Sequence, residues 1–395
     1  MRLVKVIVAA ATCAAVLLAG CRQSAEADSG SAKATYTVTF EKNAADATGT
    51  MASQTFTEGE AQALSANAFK RTGYRFTGWA ESADDGKKYD DKASITVGAD
   101  LTLYAQWMKD GMVLIPSGMV LVSAGTFQMG SDDTNASSDE KPVHSVTLTK
   151  SFYLCDHEVT QAEWKAVFGN NPSRFDGSSG KEAAVGEVQD ERPVERVNWY
   201  MAIAYCNKLS LKEGLEPCYS VSSVSDWESL AYGDIPTSSD EAWNAATCDF
   251  AKTGYRLPTE DEWEYAARGG IATTTERAWA GTTSETELGD YAWYDGNSES
   301  KTHEVKKKKP NGYGLYDMSG NVWEWCWDWL PASSDYADDK DGATDPAGPS
   351  SGSGRVLRGG SWNNYARVCA VSFRGSGSPE DLNGFLGFRV VRSAN

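Results

Sequence analysis

The sequence predicts an α+β protein of short strands and short capped helices joined by many turns. Three observations predict it. Stretches such as YTVTF from Tyr36, LTLYAQW from Leu101 and MVLVSAGTFQM from Met119 carry apolar residues in strand-like patterns. Two capping boxes, Thr160 with Glu163 and Thr259 with Glu262, stand just before apolar residues at helical spacing. The 37 glycines in 395 residues punctuate the chain too often for long elements.

Length alone favours two or more folded units. Hydrophobic content is 41%, and 14 Trp with 17 Tyr make aromatic-rich cores. A net charge of -18 repels phosphate backbones, which argues against nucleic acid as a partner. The one basic run, Lys306 to Lys309, is short and reads as a solvated loop.

The N-terminus reads as an export signal. Arg2 and Lys5 precede an apolar run from Val6 to Leu18 that is too short to span a bilayer comfortably. The run stops at Leu18-Ala19-Gly20-Cys21, which resembles the lipobox of bacterial lipoproteins. An ordinary cleavage site beside an incidental cysteine is the other reading. The resemblance implies a signal peptide over 1–20, cleavage before Cys21, lipidation of Cys21 and a membrane-anchored product at the outer membrane and cell surface. Acyl chains bind at roughly 0.8 kcal/mol per buried CH2, so several make a lasting anchor. Residues 21–35, rich in Ser, Ala, Gly and acids, are expected to be a flexible tether.

Setting aside Cys13 and Cys21, the cysteines are Cys155, Cys206, Cys218, Cys248, Cys326 and Cys369. Cys218 and Cys248 flank a polar stretch and are the pair expected to bridge, although spacing alone does not fix connectivity. His144, His157 and His303 stand far apart, and no CxxC occurs, so a histidine or zinc-ribbon metal centre is not expected.

The first unit runs over 36–107. Between its outer strands lies FKRTGYRFTGW (Phe69 to Trp79), where Gly73 and Gly78 permit tight turns and Tyr74, Phe76 and Trp79 are expected to fill a small core. This GYxFxGW pattern resembles the internalin B-type (Listeria–Bacteroides) repeat, a small β-grasp-like module of cell-surface proteins. The resemblance implies a spacer, with an adhesive module as the other reading. Residues 108–118 form a linker.

The second unit spans 119–395. Strand patterning continues through SVTLTKSFYLCDHEVT to Thr160, where the first capping box starts a helix with Trp164 and Val167 on its buried face. Asn198 caps a second helix, WYMAIAYCNKLS. Tyr219 to Ala251 reads as a polar, irregular insertion. GYRLPTEDEWEYAARGG carries the second capping box and a helix that stops at Gly269. In GNVWEWCWDW, Trp323, Trp325, Trp327 and Trp329 alternate with Glu324, Cys326 and Asp328, a period-two aromatic stripe that reads as core.

GYRLPTEDEWEYAAR, NGYGLYDMSGNVWEW, Arg358-Gly359-Gly360-Ser361-Trp362 and Leu386-Gly387-Phe388-Arg389, in this order, resemble the formylglycine-generating enzyme (sulfatase-modifying factor) domain. The resemblance implies a C-type lectin-like fold over 119–395. Active members hold copper on two thiolates. Here the first of those positions is Asn364 and only the second, Cys369, is a cysteine. An amide cannot replace a soft thiolate for Cu(I), so no catalytic residue is expected.

The segment 363–385 also resembles the variable region of proteins diversified by retroelements, of the treponemal lipoprotein type. There, Asn codons scatter as template adenines are randomised, and an AAC codon changed in its first two bases cannot give Lys, Glu, Gln, Met or Trp. The positions this resemblance marks as ligand-binding are Asn363, Asn364, Tyr365, Arg367, Val368, Phe373, Gly375, Ser376, Gly377, Ser378, Asp381, Asn383, Gly384 and Phe385, and none holds an excluded type. Trp362, Ala366, Cys369 and the block 386–389 are expected to hold the backbone. A turn-rich loop explains the Gly and Ser but not Tyr365, Arg367, Phe373 and Phe385.

The enzyme resemblance further implies a structural calcium on Asp317, Gly320, Val322 and Glu324, an oxygen set that suits the ion. A capped turn with a hydrogen-bonded Glu324 is the other reading of the same residues. The function expected is thus a non-catalytic, surface-displayed lipoprotein that binds a protein, glycan or small molecule through 363–385. A copper-dependent oxidase and an invariant structural or adhesive envelope protein are the alternatives.

Overall fold

The computed structural model describes residues 33–83, 87–109, 118–330, 341–352 and 354–394. The expected export signal, the expected lipidation site Cys21 and most of the expected tether lie outside the described residues. Among the described residues, no helix is long and apolar enough to cross a membrane. They divide into two compact units, one ending at Lys109 and one starting at Gly118.

In the first unit, β1 (Thr35–Glu41), β2 (Gln54–Thr57), β4 (Tyr74–Ala80) and β6 (Leu101–Lys109) form a sheet of order β2-β1-β6-β4. β1 and β6 are parallel at its centre, and the other pairings are antiparallel, which is a grasp-like arrangement. The short strands β3 (Gln62–Ala63) and β5 (Ser94–Ile95) pair separately. Trp79 is fully buried among Phe40, Phe69 and Phe76. Tyr74 is not core as expected. Its ring lies under the Arg71 guanidinium, 3.7 Å away, because the turn at Gly73 (φ 75°) delivers it to the sheet edge.

The second unit carries three larger sheets and a separate two-stranded ladder around two large cores and a smaller one. β7 (Met119–Val122) and β8 (Gly125–Met129) do not pair with each other. β7 joins β10 (Phe152–Cys155), β19 (Val391–Ser393) and β13 (Tyr255–Arg256), and β8 joins β9 (His144–Leu148) and β15 (Ala343–Thr344). Strand pairing ends at Cys155, short of Thr160, because Asp156 and His157 enter a polar cluster. The third sheet has the order β17 (Gly375–Gly377), β16 (Gly354–Arg358), β14 (Trp323–Leu330), β18 (Leu386–Gly387).

The helices start where their caps predict. In α1 (Gln161–Phe168), Thr160 and Glu163 exchange cap bonds and Trp164 is fully buried. In α2 (Trp199–Lys212), Asn198 Oδ1 accepts from the Met201 amide at 2.9 Å. α2 is buried on nearly every side, so it is the axis of the larger core, with Trp164, Trp325 and Phe388 around it. α4 (Glu260–Arg268) ends at Gly269 (φ 55°), and its Trp263 anchors the second core.

Two sequence expectations need correction. Residues 219–251 are not merely polar: β11 (Tyr219–Ser220), α3 (Glu241–Asn244) and β12 (Thr247–Cys248) place Tyr219, Trp227, Ile235 and Trp243 in the larger core. The bridge between Cys218 and Cys248 is absent, and both are free thiols. Tyr219 stands opposite Cys248, so Cys218 is one residue out of register and its side chain leaves the ladder on the other face.

β14 alternates as expected, yet both its faces are buried. Trp323 and Trp325 enter the α2 core, while Cys326 and Leu330 enter the α4 core. This strand is the floor on which the C-terminal segment rests.

Candidate ligand-binding surface

β16 delivers the chain to Gly359 (φ 93°) and Gly360 (φ 71°), a left-handed pair that turns it out of the sheet. A Cβ on Gly360 would lie 2.8 Å from Cys369 Sγ, so the 3-10 turn Ala366–Cys369 packs directly on this backbone. Trp362 is buried, edge-on to Phe175, and donates from its indole to Gly384 O at 2.9 Å.

From there to Leu386 the segment is fastened mainly through its main chain. The framework donors are Asp295 N to Asn364 O (3.0 Å), Trp279 Nε1 to Ala366 O (2.6 Å), Trp199 N to Pro379 O (2.9 Å), Arg196 N to Asn383 O (3.1 Å) and Trp323 N to Phe385 O (2.8 Å). Buried side chains add to this. Arg374 forks onto Glu260 at 2.7 and 2.6 Å, and Arg358 donates to the carbonyls of Ser372 and Phe373 at 3.0 and 2.7 Å. None of these bonds depends on a side chain at a position marked for ligand contact.

Burial sorts the segment the same way. Asn363, Tyr365, Arg367, Ser376, Ser378 and Asn383 are exposed, and Asn364, Val368, Phe373, Gly375, Gly377, Asp381, Gly384 and Phe385 are half-buried. The intervening Ala366, Cys369, Ala370, Val371, Ser372, Arg374 and Pro379 are buried. Tyr365 is 72% exposed, which nothing in the fold requires of so large a ring. Phe373 leans on Trp323 with ring centroids 6.2 Å apart, and Arg367 lies over Phe373 at 6.0 Å. The chemistry on display is aromatic, guanidinium, amide and hydroxyl.

Some marked positions are less free than expected. A Cβ on Gly377 would sit 2.8 Å from Cη2 of the fully buried Trp325, and one on Gly375 3.0 Å from Trp323. β17 lies too close to the floor there to take a side chain without movement. Gly384 faces the flexible Arg174 at 3.0 Å, which can give way. Asp381 is partly structural, since its Oδ2 accepts from Ser378 N at 2.8 Å. Ser361 Oγ lies 2.7 Å from the side-chain oxygens of both Asn363 and Asn364. Arg174 is exposed beside Gly384, and no sequence signal links these two distant residues.

The copper question turns on Asn364 and Cys369. Cys369 is fully buried, and burial pushes its thiol up to about 12. Cys326 is buried in a different core cluster.

Of the residues expected to hold calcium, Glu324 is engaged by a guanidinium and Asp317 is only partly engaged, its Oδ1 having no hydrogen-bond partner among the described residues. Both oxygens of Glu324 are taken by the Arg389 fork at 2.7 Å each, and Oε2 also accepts from Trp263 Nε1 at 2.7 Å. The Val322 amide donates to Glu158. Asp317 Oδ2 accepts from Lys306 N at 2.8 Å, and burial pushes this carboxyl up to about 6. A guanidinium therefore already supplies the positive charge that Glu324 faces.

A second polar cluster went unread in the sequence because its histidine looked isolated. Cys155 Sγ lies 3.7 Å from His157 Nδ1, which also contacts Asp156 Oδ1, while His157 Nε2 is 3.3 Å from Glu163. Burial pushes the imidazolium down, and Cys155, Asp156 and Glu163 outweigh it, raising it to about 12. The adjacent letters Cys-Asp-His were the available signal.

Residues 105–394 match the model of the sulfatase-modifying factor enzyme 1-like domain, which is most of the chain. The chain belongs to that family. As a sulfatase-modifying-factor-like protein it has the C-type lectin-like fold of the formylglycine-generating type, here preceded by a Listeria–Bacteroides repeat matched over 36–106. Two relatives within the family are the chaperone protein LppX of Paenibacillus barcinonensis and a formylglycine-generating enzyme of Streptomyces coelicolor. The first is 34% identical over 297 residues, covering 72% of this chain and 92% of LppX. The second is 33% identical over 301 residues, covering 70% and 90%. A solved structure, Treponema denticola variable protein 1, is similar with 51% identity and a TM-score of 0.63, covering 69% of this chain and 94% of that one.

Proposed function

We propose that this protein is an exported lipoprotein whose C-terminal domain binds a ligand, without catalysis, through a diversified surface at 363–385. The observation that carries it is the division of labour within that segment. Buried residues and main-chain bonds hold its path, and the positions marked for variation are exposed or half-buried. At its solvent-facing positions a surface built this way accepts new side chains without refolding, which is the logic of a paratope.

The similarity to a protein named as variable supports the reading. Asn364 in place of a thiol, with Cys369 buried, favours binding over the oxidase chemistry of the formylglycine-generating relatives. Tyr365, Phe373, Phe385 and Arg367 are the side-chain types that dominate protein interfaces, so a protein ligand is favoured over a glycan or small molecule. The lipobox-like Cys21 and the repeat at 36–106 suit display from a membrane.

Sequencing the DNA around the gene in several isolates tests the proposal. A near-identical template repeat, a neighbouring reverse transcriptase and differences confined to the solvent-facing positions are expected. An invariant 363–385 in all isolates, with no template repeat, would overturn the diversification.

A further inference from the structure

We infer that Cys155, Asp156 and His157 form a binding site for a zinc-type divalent ion, apart from the variable surface. Their donor atoms all lie within 4.8 Å of one another, and among the described residues no other group of three such side chains comes so close. The set of one thiolate, one imidazole and one carboxylate is what zinc takes. With Zn–S near 2.3 Å and Zn–N near 2.1 Å, a tetrahedral S···N edge is about 3.6 Å. The observed Sγ···Nδ1 separation is 3.7 Å.

The support around the three residues is that of a metal histidine. Nε2 of His157 faces Glu163 Oε1 at 3.3 Å, and a carboxylate there fixes the ring with Nδ1 turned toward Cys155 and Asp156. Glu163 is itself fixed, because its Oε2 accepts from Thr160 N at 2.8 Å and Thr160 Oγ1 at 3.1 Å. The backbone is held too: Cys155 N donates to Val390 O and Asp156 N to Gly118 O, each at 2.9 Å. Cys155 and Glu163 also line a cavity of about 200 Å³, so the thiol side of the cluster borders open space.

In the metal-free protein Cys155 Sγ and Asp156 Oδ1 face the Nδ1 edge of His157, and Lys306 Nζ meets the second Asp156 oxygen at 2.7 Å. The ion takes the place of the ring proton and any thiol proton, while Lys306 can stay on Oδ2. Binding therefore releases protons and weakens as pH falls.

Titrating the full chain with Co2+ in place of zinc tests this. A thiolate-to-cobalt charge-transfer band is expected to grow to one equivalent, to disappear on adding excess Zn2+, and to survive in Cys218→Ser. It should be lost in Cys155→Ser and His157→Ala, with circular dichroism confirming that each remains folded. Glu163→Gln should weaken the affinity by roughly 10- to 100-fold while leaving the band's position alone. No band in the wild-type chain at excess cobalt, or a band that persists in Cys155→Ser, would overturn the site.

Discussion

The indole N–H of Trp362 donates to the carbonyl oxygen of Gly384, 2.9 Å away, and ties the two ends of the exposed segment together. The tie uses a side chain only at the framework end, so any residue at 384 can accept it. Replacing Trp362 with Phe keeps most of the ring against Phe175 but removes the donor. A loss of roughly 1 kcal/mol is expected, read as a lower melting temperature. Tyr365→Ser, at a 72% exposed position, should stay within about 0.5 kcal/mol of the parent.

Phe373 and Phe385 occupy a middle ground. Both are half-buried and pack against the larger core, so they are anchors as well as contacts. Substituting either by Ser should change ligand binding and also cost about 1 kcal/mol of stability. Trp325→Ser and Phe388→Ser, both with fully buried rings, should cost about 3–5 kcal/mol through a cavity and a polar misfit. Chemical denaturation of the four variants separates the two classes.

Arg389 and Glu324 are both fully buried and joined by two 2.7 Å bonds. Glu324→Ala strands the guanidinium and should destabilise by about 3–5 kcal/mol. Because Arg389 supplies the cation, adding calcium or a chelator should leave the melting temperature of the wild-type protein unchanged. A calcium-dependent rise would return Glu324 and Asp317 to the role of ligands.

Stability should also depend on pH through Asp328. Burial, aided by Glu260 and Glu262, pushes this carboxyl up to about 8, against an unfolded value of about 3.9. Between those values the folded state keeps a proton that the unfolded state has lost. Its contribution to stability therefore falls as pH rises through the window and levels off above the upper value. Asp328→Asn keeps an acceptor for the Glu260 amide at 2.7 Å and cannot ionise. Thermal melts across pH should show the variant gaining on the wild type as pH increases, with no relative gain at acid pH.

What could be read in the sequence was what is local. The caps at Thr160, Asn198 and Thr259 act within one helical turn, and the stripe from Trp323 to Trp329 shows its own period. What could not be read depends on partners brought from afar. Trp227 and Trp243 look stranded in a polar stretch until α2 supplies their neighbours, and Cys155 needs Glu163 across a turn before His157 looks oriented. The segment 363–385 was legible by position, but its tolerance was not. That tolerance comes from donors at Trp199, Arg196, Asp295 and Trp323, spread over more than a hundred residues upstream.

The sharpest test of that tolerance lies in β17, where the chain alternates Gly375, Ser376, Gly377 and then Ser378. A Cβ at 377 would meet Trp325 at 2.8 Å, while Ser376 and Ser378 point to solvent. Gly377→Ala must push a fully buried indole or lift the strand away from β16, to which it pairs through Arg355 opposite Gly377. A cost of about 1–3 kcal/mol is expected for that overpacking. Ser376→Ala and Ser378→Ala should be close to neutral. The same physics sets what a diversifying surface can display: natural variants should differ freely at 376 and 378 while keeping Gly at 377. Sequences carrying large residues at 377 in a stable protein would mean that β17 moves, and that the floor under the surface is less rigid than its buried tryptophans imply.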